Sequence, residues 1–144
     1  MQESHIPQVL EFERIVNPSP WSEKSLKSEL QNPQATYFVA LKKDVAIGFC
    51  GYWTVVDEAH ITNVSVKQDH QKKGVGYKLM QELLKNARES GITCSTLEVR
   101  VGNVAAIRLY EKLGYKLSAV RKQYYPDNRE DANVMWKHDV AITT

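Results

Sequence analysis

Residues 69–84 read DHQKKGVGYKLMQELL. Two lysines and two glycines stand directly ahead of a run whose apolar residues recur at helical spacing. A glycine inside a helix costs about 1 kcal/mol relative to alanine. Gly74 and Gly76 at a helix start therefore imply a backbone that something approaches closely, and Lys72 and Lys73 imply that it is anionic. From Gly74 to Ser90 the positions Val75, Leu79, Leu83, Leu84 and Ala87 repeat with helical period, and Gly91 stands where a left-handed C-cap belongs. The first N–H groups of such a helix have no internal partner and, with the helix dipole, form an anion site that glycines leave accessible. The plainer reading of QKKGVG, a loop whose glycines only turn sharply, stays open at this point.

Working outward, EAHITNVSVK before the loop reads as a strand with an oddity. Ala59 and Ile61 share one face, yet the apolar phase resumes at Val64 and Val66, so one residue near Thr62 or Asn63 is out of step. A β-bulge there, or burial of both faces, predicts that pattern. After the helix, CSTLEVRV reads as a strand with Leu97, Val99 and Val101 on one face and Thr96, Glu98 and Arg100 on the other. Asn103 can cap a following helix, where Ala106, Leu109, Tyr110 and Leu113 form the stripe and Gly114 ends it.

Upstream, Ile6, Val9, Leu10, Phe12 and Ile15 predict an amphipathic helix over residues 6–16, broken by NPSPWS. Ser22 caps a second helix carrying Leu26 and Leu30. TYFVALK and VAIGFCGYWTVV flank Lys43 and Asp44 as a hairpin, and the tail YKLSAVRKQYYPDNREDANVMWKHDV holds two more strands around a turn at Pro126, Asp127 and Asn128. The order is two helices, three strands, helix, strand, helix, hairpin. It predicts an α/β fold, a mixed twisted sheet covered by helices on both faces.

The totals set limits. A chain of 144 residues is one domain in length, read as residues 1–144, and 42% hydrophobic with 25% charged residues is globular composition. A net charge of +2 gives no basic footprint, so no direct nucleic-acid binding is expected. Neither a signal peptide nor an apolar stretch near the ~20 residues of a membrane span is present, so a cytoplasmic protein with no membrane partner is expected. Cys50 and Cys94 read as buried free thiols. His5, His60, His70 and His138 show no ligand spacing, and no metal is expected.

Two known phosphate motifs fail here: the P-loop lacks its leading glycine, and the dinucleotide fingerprint lacks its three spaced glycines. Gln71, Gly74 and Gly76 instead match the acyl-CoA motif Gln/Arg-x-x-Gly-x-Gly/Ala of the GNAT N-acetyltransferases. A second string, NVAAIRLYEKLGY, is similar to that family's later signature at Asn103, Ala106, Leu109, Tyr110, Gly114 and Tyr115. Both lie in the family's order and spacing. Within the family, PWSEKSL, LEVR and YYPDNREDA resemble the RimI-like branch, whose members acetylate the N-terminal alanine of a ribosomal protein. Those chains carry a strand ahead of the first helix. Only five residues precede Ile6, so that first strand is expected to be missing or truncated.

The resemblance implies acetyl-CoA as donor and a protein N-terminus as acceptor, an alanine of the eighteenth small-subunit ribosomal protein being the leading candidate. It assigns the pyrophosphate to Gln71, Lys72, Lys73, Gly74, Val75 and Gly76, and the pantetheine arm and thioester oxygen to Asn63, Val64, Ser65 and Val66. A bulge in that strand would free N–H groups for the purpose. Glu98 is implied as general base, partly desolvated and acting through water, and Tyr110 as general acid and cofactor contact. By position alone, Glu98 is a strand residue in a salt bridge or in solvent, and Tyr110 a core aromatic. Asn103 is implied as a cofactor contact besides its capping role. Tyr124, Tyr125, Arg129, Glu130 and Asp131 are implied to border the acceptor. Two other readings compete: a GNAT acting on lysine side chains or small amines, and a non-catalytic acetyl-CoA sensor. A sensor would need neither Glu98 nor Tyr110.

Overall fold

The computed structural model describes residues 1–17 and 20–141. Pro18 and Ser19, part of the predicted helix break, lie outside them. The described elements are α1 (Ile6–Val16), α2 (Glu23–Gln31), β1 (Ala35–Lys42), β2 (Val45–Val55), β3 (Glu58–Val66), α3 (Val75–Glu89), β4 (Cys94–Arg100), α4 (Val104–Lys112), β5 (Lys116–Arg121) and β6 (Ala132–Lys137), with 3-10 turns at Glu3–His5 and Gln68–His70. Ahead of α1 the described residues hold the first of those turns. The strands form one six-stranded sheet in the order β1-β2-β3-β4-β6-β5. By contacts the chain divides into two compact units, Met1–Trp53 with Thr62–Leu83, and Thr54–Ile61 with Leu84–Thr144.

In the first unit, α1 buries Ile6, Val9, Leu10 and Phe12 as its stripe predicts, but Ile15 is 69% exposed. The buried face continues instead through Glu13, which has no exposed surface. Four residues beyond Val9, it stands on that stripe, and among the described residues three donors meet its carboxylate. Ser65 Oγ donates to Oε1 at 2.9 Å, Asn17 Nδ2 to the same oxygen at 3.0 Å, and the Trp21 N–H to Oε2 at 3.3 Å. A buried carboxylate survives only with such donors. Glu13→Gln should therefore lower stability by about 1–2 kcal/mol in urea unfolding, because an amide presents one acceptor where three donors converge.

Ser22 caps α2 by accepting the Ser25 N–H at 3.1 Å, and Leu26 is fully buried. Glu29 of α2 accepts from Trp53 Nε1 at 2.7 Å and from the Tyr37 hydroxyl at 3.1 Å, which fastens the helix to β1 and β2. The β1–β2 turn uses Lys43 at φ 51° and Asp44 at φ 67°, the left-handed pair that a two-residue hairpin demands.

The β1–β2 register jumps from Ala40↔Gly48 to Leu41↔Ala46, so Ile47 is a bulge. The extra residue returns Ala46 to the face of Phe49, where both join the core of α1 and α2. On the other face, a Cβ at Gly48 would stand 3.0 Å from the Ser65 carbonyl and 3.1 Å from Leu79 Cδ1, so glycine lets α3 and β3 close on β2. The Cys50 thiol donates to the Leu79 carbonyl beside it at 3.6 Å. Helices thus cover both faces of β2.

In the second unit, β3 and β4 pair in parallel at Glu58↔Cys94, Ala59↔Ser95 and His60↔Thr96, while β4 and β6 pair antiparallel from Ser95↔Lys137 to Arg100↔Ala132. Ser95, Leu97 and Val99 are buried, with the Ser95 hydroxyl 2.7 Å from the Tyr115 hydroxyl. Val101, predicted on that face, lies past the strand end and is 41% exposed. Cys94 is half-buried, unlike Cys50. The tail forms the two expected strands, and the turn at residues 126–128 falls between them.

Candidate active site

The glycine loop lies in the first unit. After Gln68–His70 the chain turns through residues 71–74, with Lys72 at φ 62° and Gly74 at φ 83°, and α3 begins at Val75. A Cβ at Gly74 would meet nothing within 4 Å, so this glycine serves a left-handed backbone rather than tight packing, and the space above it is open. The Lys78 N–H bonds the Gly74 carbonyl at 3.1 Å, closing the first helical turn. The three N–H groups ahead of it are those a helix cannot satisfy itself. Gln71 faces the protein: its Nε2 donates to the Val66 carbonyl at 3.0 Å, tying the loop to the end of β3.

Asn63, Val64 and Val66 of β3 are half-buried and Ser65 is buried. The apolar phase slip near Thr62 or Asn63 has no counterpart in the burial of β3. Ala59 and Ser65, the buried residues of β3, share one parity, so the burial phase holds while the apolar pattern slips. Ser65 fills a place that an apolar residue would otherwise take, because Glu13 awaits its hydroxyl.

The proposed acid and base lie in the second unit. Glu98 is paired with Val134 and is exposed, between buried Leu97 and Val99, rather than partly desolvated as expected. Tyr110 is 7% exposed and sets its ring edge-on to Tyr115, centroids 5.9 Å apart. Asn103 caps α4 through its Oδ1, which accepts the Ala106 N–H at 3.2 Å.

The loop between β5 and β6 carries the five residues implied to border the acceptor. Tyr124 and Tyr125 meet edge-on at 5.0 Å, and Arg129 holds a left-handed φ of 57°. Burial pushes the Tyr125 phenol up to about 12, so it stays a neutral donor near pH 7. The acidic pair is occupied. Glu130 accepts the Gly102 N–H at 2.8 Å, and Asp131 accepts the Gln123 N–H at 2.9 Å and pairs with Lys122 at 3.2 Å. Those hydrogen bonds and Lys122 hold the Asp131 carboxyl below the usual range.

Sequence reasoning missed Glu13 and Arg100 as organising residues. A signal for Arg100 existed: it shares the face of Glu98, and the tail brings three acids in YYPDNRED. The first unit also holds a pocket of about 360 Å³ lined by Gln8, Phe12, Ile15, Val45, Ala46 and Lys67 among others. Among the described residues no three His, Cys, Asp or Glu side chains converge as a metal site, and no helix is long and apolar enough to cross a membrane.

The chain belongs to the acetyltransferase (GNAT) family, which residues 6–115 match, and the six-stranded mixed sheet is the fold of that family. Acetyl-CoA is that family's donor. The chain is 34% identical over 137 residues to the [ribosomal protein bS18]-alanine N-acetyltransferase of Escherichia coli (strain K12), covering 94% of this chain and 92% of that protein. A Bacillus subtilis (strain 168) protein provisionally given the same name is 39% identical, with 94% and 91% covered. The crystal structure of the ribosomal-protein-S18-alanine N-acetyltransferase from Escherichia coli superimposes with a TM-score of 0.90 at 32% identity, covering 100% of this chain and 93% of that one.

Proposed function

We propose that this protein transfers acetyl from acetyl-CoA to the α-amino group of an N-terminal alanine on a ribosomal protein, in the cytoplasm, as one domain carrying one activity. The observation that carries the reading is the 34% identity across 94% of the chain to an enzyme named for that reaction. The family match runs through residues of both compact units, which supports a single functional domain.

In this reading the pyrophosphate rests on the backbone N–H groups of residues 72–76, with Lys72 and Lys73 adding charge. Backbone groups of Asn63–Val66 receive the pantetheine and the thioester oxygen, and Asn103 and Tyr110 complete the donor contacts. Glu98 takes the proton of the attacking amine through a water. An α-amino group with a reference pKa near 7.7–8.0, against about 10.4 for lysine, needs roughly 3.4 kcal/mol less help, so an exposed carboxylate is a sufficient base. The nitrogen attacks the thioester carbonyl, the C–S bond breaks, and Tyr110 gives its proton to the departing thiolate. Tyr124, Tyr125 and Arg129 line the acceptor side. Glu130 and Asp131, already engaged, shape that loop rather than bind the ammonium.

Incubation with acetyl-CoA and peptides beginning Ala, Ser or Met, or an N-blocked peptide containing lysine, followed by mass spectrometry, tests the reading. Acetylation confined to lysine would reject it, and acetyl-CoA binding without transfer would favour a sensor. The anion site has its own test. Gly76→Val should raise the acetyl-CoA KM at least tenfold in a protein that still folds, as its side chain would shield the helix N-terminus. Unchanged cofactor affinity would move the pyrophosphate elsewhere.

A further inference from the structure

Ten residues separate Arg121 at the end of β5 from Ala132 at the start of β6, two of them, Gln123 and Arg129, with left-handed backbone. Ordering such a loop costs about 1–2 kcal/mol of backbone entropy per residue, and its apolar content is little more than Tyr124 and Tyr125. Something must hold it. Arg100, the last residue of β4, supplies the hold with a side chain only 16% exposed. Its Nη1 and Nη2 donate to Asp127 Oδ1 and Oδ2 at 3.0 and 3.1 Å, a two-point fork. Nη1 also reaches Asn128 Oδ1 at 3.2 Å and lies 3.6 Å from Glu130 Oε1. The guanidinium carbon sits 3.9 Å from the centroid of the Tyr125 ring.

The loop then closes on itself around that anchor. The Tyr125 N–H bonds the Glu130 carbonyl at 3.2 Å, and the Arg129 N–H bonds the Tyr125 carbonyl at 2.8 Å. On the same face of β4, Glu98 stands two residues before Arg100, the residue whose guanidinium carries the Tyr125 ring. Arg100 pairs its charge with Asp127 and Glu130 of the loop.

We propose that Arg100 is a positioning residue for the acceptor: it clamps the β5–β6 loop so that Tyr125 is held on the face of β4 that carries Glu98, and it governs acceptor binding rather than donor binding. The inference rests on the acetyltransferase reading above. A lysine could not replace it, since only the planar guanidinium forks onto a carboxylate while stacking on a ring.

The test compares wild type, Arg100→Gln and Arg100→Lys as full chains, varying an alanine-initiated peptide at saturating acetyl-CoA and then the reverse. In both variants the peptide KM should rise about tenfold or more, the scale on which lost positioning is felt, and the acetyl-CoA KM should stay within about twofold. Hydrogen exchange should quicken in residues 122–131 and not in residues 63–76. An Arg100→Lys enzyme equal to wild type would overturn the clamp, as would a peptide KM unchanged despite faster loop exchange. A parallel rise in both KM values with a lowered melting temperature would mean general destabilisation and would also overturn it. If wild type transfers no acetyl to any peptide, the functional reading itself falls and the acceptor role with it. Loop exchange, measured without substrate, tells that case from a failed clamp.

Discussion

Glu98→Gln should lower turnover by about 10²-fold or more at neutral pH, the usual scale for a positioned base. The substitution keeps the side chain's length and shape and removes only its capacity to accept a proton. Glu98 is exposed on β4, so the variant should fold with an unchanged melting temperature. The sign of the pH dependence follows from the acceptor. Below its reference pKa of about 7.7–8.0 an α-amino group is mostly protonated and needs a base. Above it the solvent has already removed the proton. The ratio of wild-type to variant kcat should therefore shrink as pH rises from 7 to 9. Near-wild-type turnover at pH 7 would sink the assignment and leave Glu98 a surface residue of β4. A deficit constant with pH would point to lost orientation rather than lost proton transfer.

Much of the frame was legible because it is written locally. The helix after QKKGVG, the Ser22 and Asn103 caps and the Lys43–Asp44 hairpin each declare themselves within a few residues through periodicity, a capping side chain or a left-handed turn. What escaped the sequence depends on partners far along the chain. Ser65 looked like a phase error because Glu13, 52 residues away, supplies the reason for burying a hydroxyl. Arg100 looked like the polar half of an alternating strand because its partner Asp127 is 27 residues distant. The acids at 130 and 131 invited an electrostatic role in recognition. The backbone N–H groups of Gly102 and Gln123 also bond them, a demand that no side-chain pattern displays. Ile15 failed in the opposite direction. It fitted the stripe by spacing, but Glu13 and its donors take the buried position there, and Ile15 faces the outside.

Tyr110→Phe should reduce kcat by about 10²-fold, toward the lower end of the ~10² to 10⁴-fold range of acid catalysis. The leaving group sets that scale. CoA departs as a thiolate whose conjugate thiol should titrate near the thiol reference of about 8.5, so it leaves moderately well even without a proton. The structure makes the variant a clean one. Tyr110 is buried and packs edge-on against Tyr115, whose own hydroxyl is bound to Ser95. Phenylalanine keeps the ring and that contact. Removing the hydroxyl costs no more than about one hydrogen bond, about 1 kcal/mol, and so should shift the melting temperature by only about 2–4 °C. A core aromatic with no chemical role would show that small shift and an unaltered kcat at saturating substrates. A general acid would show the same shift with a hundredfold slower turnover. The two outcomes differ in kcat alone, so one phenylalanine variant, assayed for thermal stability and for kcat, decides whether the Tyr110 hydroxyl belongs to the core or to the reaction.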